Sequence, residues 1–269
     1  MISAVSLPVL QQLSADALRV TSQLSGRTGA QLGTRLYLAN RRPLTAALLH
    51  SFAGPQAIAQ QLQNACGDAA SALFRTWRER SPGPALNGWR IWGRTSGEPG
   101  PAPYKLYVSP DLAHTAEAFR ILLEVLQDSQ ARNFKVAPTI EGLVRPDKLI
   151  VYFREHAHLT AVASDLAARL SGMPAQGVPF TGALSADGLL SWGVDPSAAR
   201  RTAGKESWRA LLTQELGAAM ADLAGSDPPA AINAGRQRVR DLGVDEVTWT
   251  PASLPWPGPP APRPDRPAP

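Results

Sequence analysis

The sequence predicts an α+β protein in which an N-terminal helical region precedes a twisted sheet with helices packed on one face. Apolar residues recur at helical spacing through residues 1–80. Residues 104–109 and 133–137 alternate with a period of two, which is typical of strands with one covered face. With the apolar run at 148–153 and the helical stretches between and after these strands, the order is β-α-β-β-α.

Changes in composition divide the chain into three predicted parts. Residues 1–85 form the helical region, which ends near the SPGP string at 81–84. Residues 86–245 form the α+β domain. Residues 246–269 are so rich in proline that a disordered tail is expected.

The strands of the α+β domain are predicted to carry polar side chains on one face. In residues 104–109, Lys105 and Tyr107 share one side of the strand. Residues 133–137 alternate in the same way, and residues 148–153 are apolar almost throughout, which predicts a central strand. The side chains assigned to the polar face are Lys105, Tyr107, Lys135 and Tyr152.

Helices are predicted between and after these strands. Ser109 is expected to cap a helix, with Pro110 at its first position and an apolar stripe that runs to Leu126. Another helix is expected over residues 157–170, and shorter ones follow later in the chain. The segment GWRIWG at 88–93 is a further candidate strand.

The basic residues favour an anionic partner, since the formal net charge is +5. Four lysines accompany 23 arginines, a bias that codon usage explains. Arginine stays protonated, whereas lysine can lose its proton in a suitable environment. The lysines, which all lie between positions 105 and 205, are therefore candidates for chemistry that arginine cannot do.

Several function classes fit the sequence poorly. Cys66 is the only cysteine and the four histidines form no HExxH pattern, so no metal site is predicted. No run of about 18 apolar residues predicts a membrane span. The N-terminus lacks a basic n-region, so a cytoplasmic protein is expected. A nucleic-acid binder would need a continuous basic stripe or a known motif, and the sequence has neither.

A purely structural interpretation of the polar face stays open on the residues alone. Alternating strands commonly place lysine and tyrosine in water, and lysines at sheet edges oppose aggregation. The competing interpretation is an anion site that combines an ionisable amine with arginines from the following segments. Those arginines are Arg145, Arg200, Arg201 and Arg209.

Residues 104–170 resemble the bacterial phosphothreonine lyases. The longer span 88–225 resembles the HopA-type effector family and the related stand-alone lyases of class V lanthipeptide and thioamitide biosynthesis. About half of the chain is covered, and the order and spacing of several strings carry the similarity. These are Lys105-Leu106-Tyr107, Phe134-Lys135-Val136, RPDKLIVYF at 145–153 and GLLSWGVDP at 188–196.

The resemblance implies a lyase that β-eliminates phosphate from phosphoserine or phosphothreonine without a cofactor. Lys135 matches the general base that removes the α-proton. Its pKa of about 10.4 must fall for this role, and desolvation or nearby cations lower the pKa of an amine. The residues implied to hold the phosphate are Lys105, Arg145 and Arg200, with Arg201 or Arg209 in place of an arginine that is replaced here by Gly193.

The implied general acid is the point at which this chain departs from the phosphothreonine lyases. They have a histidine where Tyr107 stands. Tyr107 is expected to donate the proton to the leaving phosphate, although its unperturbed pKa of about 10 makes it a weaker acid. Tyr152 is expected to contact the substrate.

The resemblance also implies partners. A stand-alone lyase needs a separate kinase-like phosphotransferase and a ribosomally made precursor peptide, whose product would contain dehydroalanine or dehydrobutyrine. Residues 1–80 are expected to bind the leader segment, dock the kinase or serve as a scaffold. No nucleic-acid or membrane partner is expected. The alternative is a non-catalytic peptide-binding or effector-like interaction module.

Overall fold

The computed structural model describes residues 8–51, 75–80, 88–96, 100–196 and 207–256. No helix within these ranges is long and apolar enough to cross a membrane. The helices are α1 (Val9–Ser22), α2 (Gly29–Tyr37), α3 (Ala46–Ser51), α4 (Thr115–Gln127), α5 (Ile140–Leu143), α6 (His156–Arg169), α7 (Trp208–Met220) and α8 (Pro228–Asp241). The strands are β1 (Trp77–Arg80), β2 (Arg90–Arg94), β3 (Tyr104–Val108), β4 (Asn133–Val136), β5 (Leu149–Phe153), β6 (Gly182–Ala183) and β7 (Leu190–Val194).

The seven described strands form one sheet in the order β1-β2-β4-β5-β3-β7-β6. The pairs β1–β2, β2–β4, β4–β5, β3–β5 and β6–β7 are antiparallel. Strand β5 is central, as its apolar sequence predicts. The predicted α+β fold class is confirmed.

The chain forms two compact units. The first comprises Met1–Ala17 and Leu38–Gly193 and contains most of the sheet, and the second comprises Leu18–Tyr37 and Val194–Pro269. In the second unit, α2 packs on α7 and α7 packs on α8. The predicted helical region contributes to both units, so this division does not coincide with the boundary predicted at residue 85.

Helices cover one face of the sheet in the first unit. Helices α4 and α6 contact each other, and α6 also contacts β3 and β5. The core on this face is aromatic: Phe134 is fully buried and its ring lies 4.9 Å from Trp92, 5.0 Å from Trp77 and 6.3 Å from Phe119. Because successive side chains alternate across a strand, this packing directs Lys135 to the opposite face.

The start of α4 differs from the sequence-based prediction. Ser109 is not the N-cap, because its buried hydroxyl donates to the carbonyl oxygen of Pro146 at 2.6 Å. Asp111 takes the capping role, and its carboxylate accepts a hydrogen bond from the Ala113 amide at 3.1 Å. A short 3-10 turn at Leu112–His114 then leads into α4.

Two further predictions are wrong in part. Residues 77–80, predicted to be helical, form β1, because Trp77 packs into the aromatic core. Trp256, predicted to lie in a disordered tail, is 7% exposed and donates from Nε1 to the carbonyl oxygen of Leu242 at 3.1 Å. Most of the second predicted N-terminal helix, at 52–74, and the end of the tail, at 257–269, lie outside the described residues.

Replacing Phe134 by alanine is expected to lower the free energy of unfolding by about 3–5 kcal/mol, because the substitution leaves a cavity in the aromatic core. Asn133→Ala, on the same strand but the opposite face, is the control and is expected to change it by less than about 1 kcal/mol. Chemical denaturation of both variants measures the difference. Equal, small effects would contradict the packing described.

Candidate active site

Lys135 lies in the middle of the sheet face that faces away from α4 and α6. It is half-buried, and β4 places it opposite Ile91 of β2 and opposite Ile150 of β5. Strand β3 pairs with the other edge of β5, so that Lys105 lies opposite Tyr152 and Tyr107 lies opposite Ile150. Lys105, Tyr107, Lys135 and Tyr152 therefore share one face of the sheet.

Two aromatic rings hold the cations of this face close together. The Nζ atom of Lys135 lies 4.2 Å from the centre of the Trp89 ring and 5.8 Å from that of Tyr152. The Nζ atom of Lys105 lies 5.2 Å from the Tyr152 ring, and Cζ of Arg145 lies 5.2 Å from the Trp89 ring. These separations are within the range of cation–π attraction. Lys105, Lys135 and Arg145 thus converge on one shared aromatic surface.

Arg145 is held in place by a carboxylate two residues further along the chain. Its Nε and Nη2 atoms donate to the two carboxylate oxygens of Asp147 at 2.9 and 3.0 Å. Asp147 is buried, and such two-point pairs fix the plane of the guanidinium group. The pair orients Arg145 over Trp89 and offsets one of the three positive charges of the cluster.

The two tyrosines of this face have different surroundings. Tyr107 is 2% exposed and packs with Ile150 and Val178, beneath Trp89 and Tyr152. Tyr152 is partly exposed and lines a pocket of about 240 Å³ beside Lys135. Tyr152 is therefore the tyrosine that a molecule bound in the pocket would meet first.

The structure describes one of the three late arginines that the sequence suggested for phosphate binding. Arg200 and Arg201 lie outside the described residues. Arg209 is 1% exposed within the second unit, where it donates from Nη2 to the carbonyl oxygen of Tyr37 at 2.8 Å and stacks on the Tyr37 ring. These contacts give Arg209 a role in packing within the second unit.

Sequence reasoning missed Trp89 and Asp147. Trp89 precedes Ile91 by two residues, so the period of two already places it on the face of Ile91. Only the pairing of β2 with β4 shows that this is also the face of Lys135. Asp147 was detectable as the acidic partner in the Arg145-Pro146-Asp147 string.

Lys148 is the second unusual amine of the first unit. It is fully buried, and its Nζ donates to the carbonyl oxygen of Pro110 at 2.6 Å and to Oε1 of Gln176 at 2.5 Å. Burial and then the charge of Arg42 lower the pKa of Lys148 to about 7, against the opposing effect of Asp111 and Asp147. Lys148 joins the start of β5 to two loops.

Within the described ranges, no group of three or more histidine, cysteine, aspartate or glutamate side chains is arranged to hold a metal ion. The described polar side chains of the site around Lys135 include amines, guanidinium groups and phenols. Such groups bind anions, and a neutral amine among them also accepts a proton.

Comparison with known proteins supports the fold. No family profile matches the chain, and no curated protein matches its sequence. Two effector proteins from Pseudomonas syringae have similar structures. The one from pathovar syringae strain 61 is 14% identical with a TM-score of 0.53, and the one from pathovar tomato strain DC3000 is 11% identical with a TM-score of 0.52. Each match covers 89% of this chain and 97% of the effector.

The type III effector and phosphothreonine lyase OspF from Shigella flexneri is a weaker match. It is 11% identical with a TM-score of 0.38, and the match covers 52% of this chain and 89% of OspF. A TM-score of this size does not establish a common fold. The two Pseudomonas syringae effectors therefore define the shared fold.

The buried amine of Lys148 is expected to make stability depend on pH. Between about pH 7 and pH 10 the unfolded chain keeps a proton on Lys148 that the folded chain has lost, so the free energy of unfolding rises with pH by up to about 1.4 kcal/mol per unit. Below about pH 7 both states are protonated and this contribution is constant. Lys148→Met removes the slope. Denaturation curves of wild type and Lys148→Met between pH 7 and 10 measure this slope. The same pH dependence in the two proteins would contradict the lowered pKa of Lys148.

Proposed function

We propose that this protein is a lyase that β-eliminates phosphate from phosphoserine or phosphothreonine in a peptide. The observation that supports the proposal best is the convergence of Lys105, Lys135 and Arg145 on Trp89 and Tyr152, next to a pocket that Lys135 and Tyr152 line. The arrangement offers cations for a phosphate and an amine that a substrate can reach. The sequence resemblance to lyases of this kind agrees with the same assignment.

The proposed reaction is a single elimination. The neutral amine of Lys135 takes the Cα proton, the electron pair forms the Cα=Cβ double bond, and the Cβ–O bond breaks. The phosphate leaves with the bonding electrons. Lys105 and Arg145 stabilise the charge on the departing oxygen, since preorganised cations act most strongly where charge develops. We expect the neighbouring cations to favour the neutral form of Lys135, because like charges disfavour one another.

A proton donor toward the leaving oxygen completes the reaction. Tyr107, the acid expected from the sequence, is packed beneath two aromatic rings, so a substrate in the pocket reaches Tyr152 more directly. We assign proton donation to Tyr152. Tyr107 then supports the ring of Tyr152 and the position of Trp89.

The proposed substrate is a ribosomally made precursor peptide. A separate kinase-like phosphotransferase would phosphorylate its serine or threonine residues, and the elimination would leave dehydroalanine or dehydrobutyrine. This part of the proposal rests on the sequence resemblance to stand-alone lyases of lanthipeptide and thioamitide biosynthesis. Arg200 and Arg201 stay candidates for phosphate binding.

Lys135→Ala and Lys135→Arg are both expected to abolish elimination, because arginine keeps the charge but cannot accept the proton. Mass spectrometry of a phosphothreonine peptide measures it: elimination removes the mass of phosphoric acid, whereas hydrolysis removes only that of HPO₃. Lys135→Arg should still bind the phosphopeptide. Elimination at the wild-type rate in either variant would remove Lys135 from the mechanism, and binding by wild type without any mass change would favour the interaction module.

Tyr152→Phe is expected to lower kcat by roughly 10²–10⁴-fold, the usual contribution of a general acid. Tyr107→Phe should have the smaller effect, because it keeps the ring that packs under Tyr152. Steady-state kinetics with one phosphopeptide compares the two variants. A larger loss in Tyr107→Phe would return the acid role to Tyr107.

A further inference from the structure

The pocket beside Lys135 extends across the sheet to its edge. Its lining comes from four neighbouring strands: Arg80 of β1, Ile91 of β2, Asn133 and Lys135 of β4, and Tyr152 of β5. A substrate that presents its phosphorylated residue to Lys135 therefore has space to continue toward β1. Arg80 is the cationic side chain at that far end.

Arg80 reaches the pocket because of a glycine on the next strand. Arg80 pairs with Ile91, and Ile91 pairs with Lys135, so all three lie in one row across the sheet. Gly93, two residues from Ile91 on the same face, leaves room for the Arg80 guanidinium. A Cβ atom at position 93 would lie 2.3 Å from Nε and 2.5 Å from Cζ of Arg80. The guanidinium group of Arg80 thus occupies the space that a side chain at position 93 would fill.

The charge of Arg80 is not neutralised by the part of the chain that the structure describes. The adjacent Glu79 points to the opposite face and accepts two hydrogen bonds from Arg90, at 2.9 and 2.8 Å. Asp147, which lies two residues after Arg145, forms its ion pair with Arg145. Among the described carboxylates, none forms an ion pair with Arg80. A negatively charged group of a substrate would complement this charge at the end of the pocket.

We propose that Arg80 is a specificity-determining residue that binds an acidic side chain of the peptide substrate. This inference rests on the proposed lyase function and names a feature of its substrate. Adjacent strands are about 4.8 Å apart, so the backbones of β1 and β4 are about 10 Å apart in the row of Lys135. An extended peptide advances about 3.3 Å per residue, so this span corresponds to roughly two to three residues. The favoured substrate carries aspartate or glutamate two or three residues from the phosphorylated position.

The test compares phosphothreonine peptides in which aspartate or asparagine stands at each position up to four residues on either side. Wild type is expected to turn over one aspartate peptide about tenfold better than its asparagine partner, in kcat/KM, for one charge-assisted contact. Arg80→Gln should lose this preference, because kcat/KM for the aspartate peptide falls to that for the asparagine peptide. Arg80→Glu should instead favour lysine at the same position. Arg78→Gln is the matched control, because it removes the same charge from the same strand and face without lining the pocket.

Two results would overturn the assignment. An equal loss for the aspartate and asparagine peptides in Arg80→Gln would mean that Arg80 contacts the phosphate itself or only supports the fold. A preference that survives in Arg80→Gln would place the acidic side chain elsewhere. If no peptide is turned over, the proposed lyase function fails. Binding of the same peptides then tests the acidic subsite independently of turnover. A binding preference for aspartate that Arg80→Gln abolishes would support the acidic subsite, and equal binding would refute it.

Discussion

The arrangement of this site depends on two aromatic rings that each contact two cations. Trp89 lies against Lys135 and Arg145, and Tyr152 lies against Lys105 and Lys135. Bringing cations together and partly out of water is costly, and the faces of aromatic rings offset part of that cost. The rings also exclude water from one side of each cation. Without them, the three charges would repel one another, and solvent would be the more favourable place for their flexible side chains.

The sheet determines the positions of these side chains, because the pairing of neighbouring strands sets which residues lie side by side. Lys135 lies on β4, between strands on both sides, and its own strand is anchored from behind by the buried ring of Phe134. Asp147 supplies the second constraint by holding the plane of Arg145. Sites built on regular elements with such supporting contacts keep their geometry better than sites built on loops. The same pairing places Arg80 in the pocket, so substrate selection and catalysis would share one rigid surface.

The sequence reveals the local pattern of this protein but not its non-local pairing. A period of two is enough to place Lys105 and Lys135 on polar strand faces, and that assignment agrees with the structure. It does not show that β2 lies beside β4. The contact between Trp89 and Lys135 could therefore not be predicted from the sequence. The position of Arg80 in the pocket could not be predicted either. Strand β1 is short, lies at the edge of the described sheet and contains one apolar residue, Trp77, so the sequence shows no strand pattern there. Which side chains are neighbours across two strands depends on the pairing and register of those strands. The spacing of residues within one strand does not determine either.

The most direct test of proton abstraction by Lys135 follows the oxygen atoms of the released phosphate. A phosphothreonine peptide is incubated with the protein in water labelled with heavy oxygen, and phosphate and peptide are both weighed by mass spectrometry. Elimination breaks the Cβ–O bond, so the account predicts phosphate without solvent oxygen, an unsaturated peptide, and neither product with Lys135→Ala. Solvent oxygen in the phosphate, or unlabelled phosphate released by Lys135→Ala, would contradict it.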